Sequence, residues 1–498
     1  MRWCRVDLVT AAVAVALLLG GGLPGHAQDK PPSPPQDPPA RIETQHKIAL
    51  AGGSLDYRVV AETIGLTTPK GDPSAAVFTV SYLADAAAGR KRPVAFVFNG
   101  GPGAAAVFLH LGALGPRVLD TPATGAVPPP PFRLADNPST WLAFTDLVFV
   151  DPVGTGFSQG KGKDDNPDKP FFNVRTDLDA LGAVLRRWLT RHDRWSAPVF
   201  LVGESYGGLR AAALAHSLTQ DPGIAVSGLV LVSPALDVAM LHPKLGNVLA
   251  PALALPSYAA AAAAVAGGSA TESAAAAERF ALSDYLVGVA GLAGIPAADD
   301  PFIARVAKLI GLPDRVVRRE RGRVSGQTFV RELRREKGEV LSLYDATVAR
   351  PSAANPWDDD AGDPVLDPAV AAFTAAFESY AIGELGYRTE QPYRVLSREV
   401  SRQWNWDAAR AGSLGLALKS LQETLLARPD TKLLVASGRY DVVTPYFTSR
   451  WLVDQLALPA AIRSDLRVRV YDGGHMMYMR PPSRAALSDD AADRKSVV

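Results

Sequence analysis

Gly203-Glu204-Ser205-Tyr206-Gly207-Gly208 is the stretch whose reading decides this chain. It follows a short apolar run, Val199-Phe200-Leu201-Val202, that reads as a buried strand. It leads straight into Leu209-Arg210-Ala211-Ala212-Ala213-Leu214, which reads as helix. Strand, tight turn and helix are the setting of a nucleophile elbow with the pattern G-x-S-x-G. Gly203 and Gly207 stand where a side chain would collide in so sharp a turn. The turn holds the Ser205 hydroxyl above the sheet edge, and the helix N-terminus beneath it favours developing negative charge. An ordinary glycine-rich loop with an idle serine is the competing reading; the strand before and the helix after argue against it.

The flanking sequence supplies the sheet that such an elbow needs. Leu55-Asp56-Tyr57-Arg58-Val59-Val60 and Ala76 to Tyr82 carry the β-branched and aromatic residues of strands. Val94 to Phe98, Leu147 to Val150, Leu229 to Val232 and Leu433 to Ala436 are apolar runs of strand length, and Leu466 to Val470, with Arg467 and Arg469 between its apolar residues, is read with them as a strand. Between Asn173 and Trp195, Leu178, Leu181, Val184, Leu185, Trp188 and Leu189 fall on one helical face. Apolar runs separated by helices predict an α/β fold: a mostly parallel sheet with helices on both faces. The core of this fold is expected over 42–232 and 428–498. The alanine-rich, helical 233–427 is expected as an insertion capping the sheet's C-terminal edge. Asp358-Asp359-Asp360 with Asp363 lacks the spacing of a calcium loop and reads as a polar loop.

A serine hydroxyl is a poor nucleophile until a base removes its proton. The candidates are His26, His46, His110, His192, His216, His242 and His475. His475 is distinguished by Tyr471-Asp472-Gly473-Gly474-His475, just past the last expected strand, where glycines let a loop project the imidazole over the sheet edge. An orienting carboxylate is also needed. Asp441 in Gly438-Arg439-Tyr440-Asp441 stands at the end of the strand Leu433 to Ala436, and Asp472 is the alternative. The order Ser205, Asp441, His475 is the α/β-hydrolase order. For the oxyanion, one donor is expected from the backbone N–H of Tyr206. A second is expected from Gly101, in Asn99-Gly100-Gly101-Pro102-Gly103. A phosphate loop is the other reading of that segment, but it lacks the lysine and hydroxyl residue of a Walker motif.

Composition bounds the partners. With 52 basic and 51 acidic residues the net charge is +1, which favours neither nucleic acid nor an anionic membrane surface. At 498 residues the chain can bury a core sufficient without disulfides. Residues 1–27 read as a signal peptide: Arg2 and Arg5, then an apolar run from Leu8 to Leu19 interrupted by Thr10, then Gly25-His26-Ala27 before Gln28. Its removal takes away Cys4, the only cysteine, and with it any thiol nucleophile or thiolate metal site. Residues 28–41, with three Pro-Pro pairs, read as an extended linker. The expected location is exported, periplasmic or extracellular, without stable membrane association after cleavage.

On these motifs the chain resembles the serine carboxypeptidase family of α/β-hydrolases, as a bacterial-type secreted member. The resemblance is carried by Asn99 to Gly103, Leu114-Gly115-Pro116, Asn137-Pro138 with Trp141, Asp151-Pro152-Val153-Gly154-Thr155-Gly156-Phe157-Ser158, Gly203 to Gly208, Asp441 and Gly474-His475, in the family's order. It implies a triad of Ser205, Asp441 and His475, oxyanion donors at Gly101 and Tyr206, and a site for the substrate's terminal carboxylate at Asn99, Gly100 and Glu204. It implies peptide substrates with a free C-terminus, cleaved through an acyl-enzyme in mildly acidic surroundings, with no metal or organic cofactor. The chain departs from the family pattern in three places. Ala104-Ala105-Ala106 replaces Cys-Ser-Ser, removing hydroxyl hydrogen bonds behind the carboxylate site. Val97 stands where tryptophan is common. Ala113 stands where a glutamate often precedes Leu-Gly-Pro, removing a second carboxyl from that site. A secreted esterase or acyltransferase on the same scaffold is the alternative, and an inactive binding protein a third.

Overall fold

The computed structural model describes residues 39–85, 92–163, 165–241, 243, 246–352, 362–407 and 415–493. The expected signal peptide 1–27 with Cys4, nearly all of the linker 28–41, and Asp358-Asp359-Asp360 lie outside them.

One sheet organises the described chain. Its strands are β1 (Arg41–Leu50), β2 (Gly53–Thr67), β3 (Pro73–Ala84), β4 (Val94–Phe98), β5 (Asp146–Val150), β6 (Val199–Glu204), β7 (Val226–Val232), β8 (Lys432–Gly438) and β9 (Leu466–Tyr471). Their spatial order is β1-β2-β3-β5-β4-β6-β7-β8-β9, and a two-residue strand, Gln159–Gly160, adds to the edge of β3. The first three strands pair antiparallel, as β3 does with β5; from β5 to β9 every pairing is parallel. Strand order and directions are those of the α/β-hydrolase fold, as the sequence predicts.

Side chains alternate across the sheet, so each central strand feeds two cores. Ala95 and Val97 of β4 face one core with Phe149 and Val202; Val94, Phe96 and Phe98 face the other with Val148 and Leu201. Both faces are covered, which is why these strands read as unbroken apolar runs. Helix α1 (Val174–Arg191) begins where the Asn173 side chain accepts from Thr176 N. It lays Leu181, Val184, Leu185 and Trp188 on the second face. The Trp188 indole donates to Ser81 Oγ at 2.9 Å. Helix α2 (Tyr206–Gln220) follows the elbow and is buried along most of its length.

Strands β7 and β8 pair directly, from Gly228–Lys432 to Val232–Ala436, so the residues between them leave the sheet and return to it. That excursion is not one body. Helix α3 (Leu249–Val265) and the helices to Glu332 build a core of their own around Leu253, Tyr258, Val306 and Phe329. This core includes Tyr440 and Val442 from the loop after β8, and Tyr446 and Phe447 from the start of the helix Tyr446–Asp454 that follows it. Helix α4 (Leu366–Gly383) instead sends Phe373, Phe377 and Tyr380 into the first core. Helix α5 (Leu416–Ala427) returns Leu421 and Leu425 to the second, beside α2.

Because β4 to β9 run parallel, the loops after β4, β6, β8 and β9 leave the same edge of the sheet. Asn99, Ser205, Asp441 and His475 are all on these loops, the usual location of ligand sites in open parallel sheets.

Candidate active site

The elbow is set by backbone demands. Ser205 has φ 59° and ψ −123°, a conformation that non-glycine residues adopt at a cost. Its N–H donates to Val232 O, and its carbonyl accepts from Gly208 N and Ala235 N, each at 2.9 Å. A Cβ on Gly203 would overlap Gly207 O, and one on Gly207 would lie 2.5 Å from Phe98 O. The two glycines expected to make room for the turn therefore do so against backbone, which cannot yield. Ser205 itself is half-buried.

His475 and Asp441 meet as the chain order predicts. His475 Nδ1 lies 2.8 Å from Asp441 Oδ2, and both side chains are buried. The other carboxylate oxygen accepts from Val443 N and Thr444 N at 2.8 Å each. The Thr444 hydroxyl is 2.6 Å from Asp441 Oδ2, 3.0 Å from His475 Nδ1 and 2.9 Å from Ser233 O. Ser233 Oγ donates to His475 O at 2.9 Å, and His475 N donates to Tyr344 O at 2.5 Å. The imidazole is thus held through its backbone and through Nδ1. Burial acts to lower its pKa, but the charge and hydrogen bond of Asp441 outweigh it, with Glu204 adding, and the net shift is upward. Asp472, the alternative orienter, is paired with Arg480 at 2.6 Å.

The segment after β4 lies against the elbow. A Cβ on Gly100 would stand 2.6 Å from Tyr206 N and 2.9 Å from Ser205 Cβ. As the first residue of α2, Tyr206 has no intrahelical acceptor for its N–H. Gly101, at φ 98°, follows in the same loop. The Tyr206 phenol is turned inward: it donates to Asp177 Oδ2 at 3.1 Å and packs edge-on to Trp404 and Trp406. Arg210, fully buried, forks onto Asp177 at 2.8 and 3.1 Å and donates to Asn99 O at 2.5 Å. One guanidinium therefore ties the loop after β4 to the helix after the serine.

Asn99 and Glu204 also meet. The Asn99 amide donates to Glu204 Oε2, and Asn99 Oδ1 accepts from Leu109 N at 3.0 Å. Glu204 Oε1 accepts from the Tyr478 hydroxyl at 2.7 Å. Burial pushes the Glu204 carboxyl up to about 7. The His475 charge and the hydrogen bonds from Tyr478 and Asn99 oppose that rise, and the Asp441 charge adds to it. Ala104, Ala105 and Ala106 are packed in the core. Asn99 is held instead by Leu109 N at its side-chain oxygen and by Arg210 at its carbonyl. Among the described residues no group of three or more His, Cys, Asp or Glu side chains is placed to hold a metal ion.

Sequence reasoning missed four contributors: Tyr478, Thr444, Ser233 and the Asp177–Arg210 pair. Tyr478 and Thr444 each stand three residues after a triad member, which was a usable signal. Arg210, a lone charge in an alanine-rich helix directly after the elbow, was another.

An elbow serine, an Asp–His pair and this strand order define an α/β-hydrolase. Residues 69–244 match the family described as serine carboxypeptidase. It is 29% identical over 154 residues to serine carboxypeptidase-like 9 of Arabidopsis thaliana, covering 29% of this chain and 33% of that protein. It is 28% identical over 148 residues to the lysosomal protective protein of Mus musculus, covering 28% of each chain. The match thus spans about a third or less of each relative's length. A proline iminopeptidase of Mycobacterium smegmatis aligns with 86% of this chain and 97% of its own at 15% identity, with a TM-score of 0.33.

Proposed function

We propose that this protein is an exported serine-type carboxypeptidase that removes residues from the free C-termini of peptides through an acyl-enzyme on Ser205. Ser205 Oγ attacks the scissile carbonyl while His475 Nε2 takes the hydroxyl proton. The Asp441 carboxylate stabilises the imidazolium that forms. The backbone N–H groups of Gly101 and Tyr206 receive the developing oxyanion. The tetrahedral intermediate collapses as His475 returns the proton to the leaving amine. Water, deprotonated by the same imidazole, then attacks the ester carbonyl, and His475 returns that proton to Ser205 Oγ as the acid departs. Asn99, Gly100 and Glu204 bind the substrate's terminal carboxylate. Two carboxyl groups meet only if one carries a proton, so Glu204 acts as the donor in its protonated form. Lower pH therefore favours binding of the substrate carboxylate, until His475 in turn takes a proton.

The observation that carries this reading is the buried Glu204 carboxyl, adjacent in sequence to Ser205 and bonded to the Asn99 amide. It is a recognition group for a negatively charged chain end, which a general esterase does not need. The family match over 69–244 supports the same reading. Export rests on the signal-like character of residues 1–27. The test compares a peptide bearing a free C-terminal carboxylate with its C-terminal amide. The free acid is expected to be cleaved far faster. Equal rates would discard the carboxypeptidase reading and leave the esterase or acyltransferase alternative.

A further inference from the structure

We propose that Tyr478 is the positioning residue of the carboxylate site: its phenol holds one oxygen of Glu204 and sets the pH range over which that group can receive a substrate carboxylate. The proposal rests on the carboxypeptidase reading and goes beyond it by assigning a residue that the sequence patterns left without a role.

Tyr478 sits in the short 3-10 turn Met477–Met479, three residues after His475, and its side chain is fully buried. One short segment thus serves two groups: His475 reaches Asp441 and Tyr478 reaches Glu204. The ring needs a gap in the facing wall, and that wall is the π-helical turn His110–Leu114. A Cβ at Gly112 would stand 2.8 Å from Tyr478 Cε2 and 3.3 Å from Cδ2. Arg484 Nη1 lies 3.4 Å from both Gly112 O and Tyr478 O, bridging the turn to the segment that carries the ring. Next to Gly112 is Ala113, which carries no hydrogen-bonding side chain. Where the resemblance implies a second carboxyl in the carboxylate site, Glu204 is met by the Tyr478 phenol.

The chemistry of a phenol differs from that of a second carboxyl. Burial and the neighbouring Glu204 charge hold the Tyr478 hydroxyl protonated. It can therefore donate to Glu204 at any working pH without adding charge. The ionisable groups acting on Glu204 are His475, Asp441 and Tyr478, and its charge is also felt by Tyr344. A donor at 2.7 Å favours the ionised carboxylate. Tyr478 therefore sets an upper pH limit on carboxylate binding while keeping Glu204 in one orientation.

The experiment measures kcat and KM across pH for Y478F on a free-acid peptide and on a matching ester that lacks the carboxylate. For the free acid, KM is expected to rise about tenfold at acidic pH with a smaller change in kcat. The alkaline limb of kcat/KM should move to higher pH. Ester hydrolysis should show no such displacement. G112A keeps the phenol but pushes its ring away, so it should shift the free-acid limb in the same direction, and it serves where Y478F does not fold. A limb that stays in place, or that moves equally for acid and ester, overturns the proposal. Wild-type protein indifferent to the free carboxylate overturns both this proposal and the function it rests on. A wild-type preference with an unmoved limb in the variants overturns this proposal alone.

Discussion

Gly100 touches the elbow so closely that a single added methyl would stand 2.6 Å from the backbone nitrogen of Tyr206 and 2.7 Å from Glu204 O. Both neighbours are main-chain atoms of a turn whose Ser205 already occupies a positive-φ conformation. Neither can rotate away, so the methyl is accommodated only by parting the two loops that are to cradle the oxyanion.

G100A is therefore expected to lower kcat by roughly 10²–10³, the usual cost of misplacing an oxyanion donor. The fold should persist, because the clash is at the sheet's edge and outside both cores. Steady-state kinetics on an ester, paired with thermal unfolding, check this. Wild-type kcat in the folded variant would show that the two loops do not act together.

The strain at Ser205 yields a prediction of opposite sign for stability. Glycine accepts φ 59° without penalty, so S205G should gain about 1 kcal/mol against unfolding while losing all acyl transfer. S205A removes the same hydroxyl but keeps the strain, and should unfold near the wild-type temperature. Calorimetry of the three proteins, with a fluorophosphonate label reporting the nucleophile, separates the effects. A label that still attaches in S205A would move the nucleophile elsewhere.

The two titrating groups of the site act on opposite sides of the pH profile. His475 must be neutral to accept a proton, and its pKa is raised above the ordinary imidazole value, so activity on any substrate falls as pH drops through it. Glu204 must be protonated to meet a substrate carboxylate, so free-acid peptides also lose kcat/KM as pH rises past about 7. A bell is expected for the peptide and a single acid limb for an ester. In E204Q the amide donates at every pH, so the peptide's alkaline limb should disappear. In D441N the imidazole loses its partner charge: the acid limb should move to lower pH, with kcat down on the order of 10⁴-fold. A peptide bell that survives in E204Q would remove Glu204 from substrate binding.

What was legible in the chain follows from local physics. Unbroken apolar runs such as Val94 to Phe98 report burial on both faces whatever the partners are, and all of them are strands. Gly203 and Gly207 report the elbow because only glycine fits against backbone there. Gly473 and Gly474 likewise marked the loop that carries His475, and the serine, acid, histidine order followed from strand counting. The excursion after β7 was legible as helical but not in its division. Alanine-rich helices carry too little periodic contrast to say which face packs where. The structure sends α4 and α5 to the sheet and keeps only the helices from α3 to Glu332 as a separate core.

The sequence by itself determined the strand and helix succession and the residue types at the turn, since these depend on dihedral preference and on apolar spacing within a few residues. Only the tertiary structure decided that Tyr478 bonds Glu204, that Arg210 reaches Asn99, and that Thr444 sits between Asp441, His475 and Ser233. Apart from Thr444 and Asp441, those partners lie on segments far apart in the chain. They become neighbours because parallel strands bring their ends to one edge, and nothing in the short-range pattern of either segment encodes which remote group will fill the remaining space.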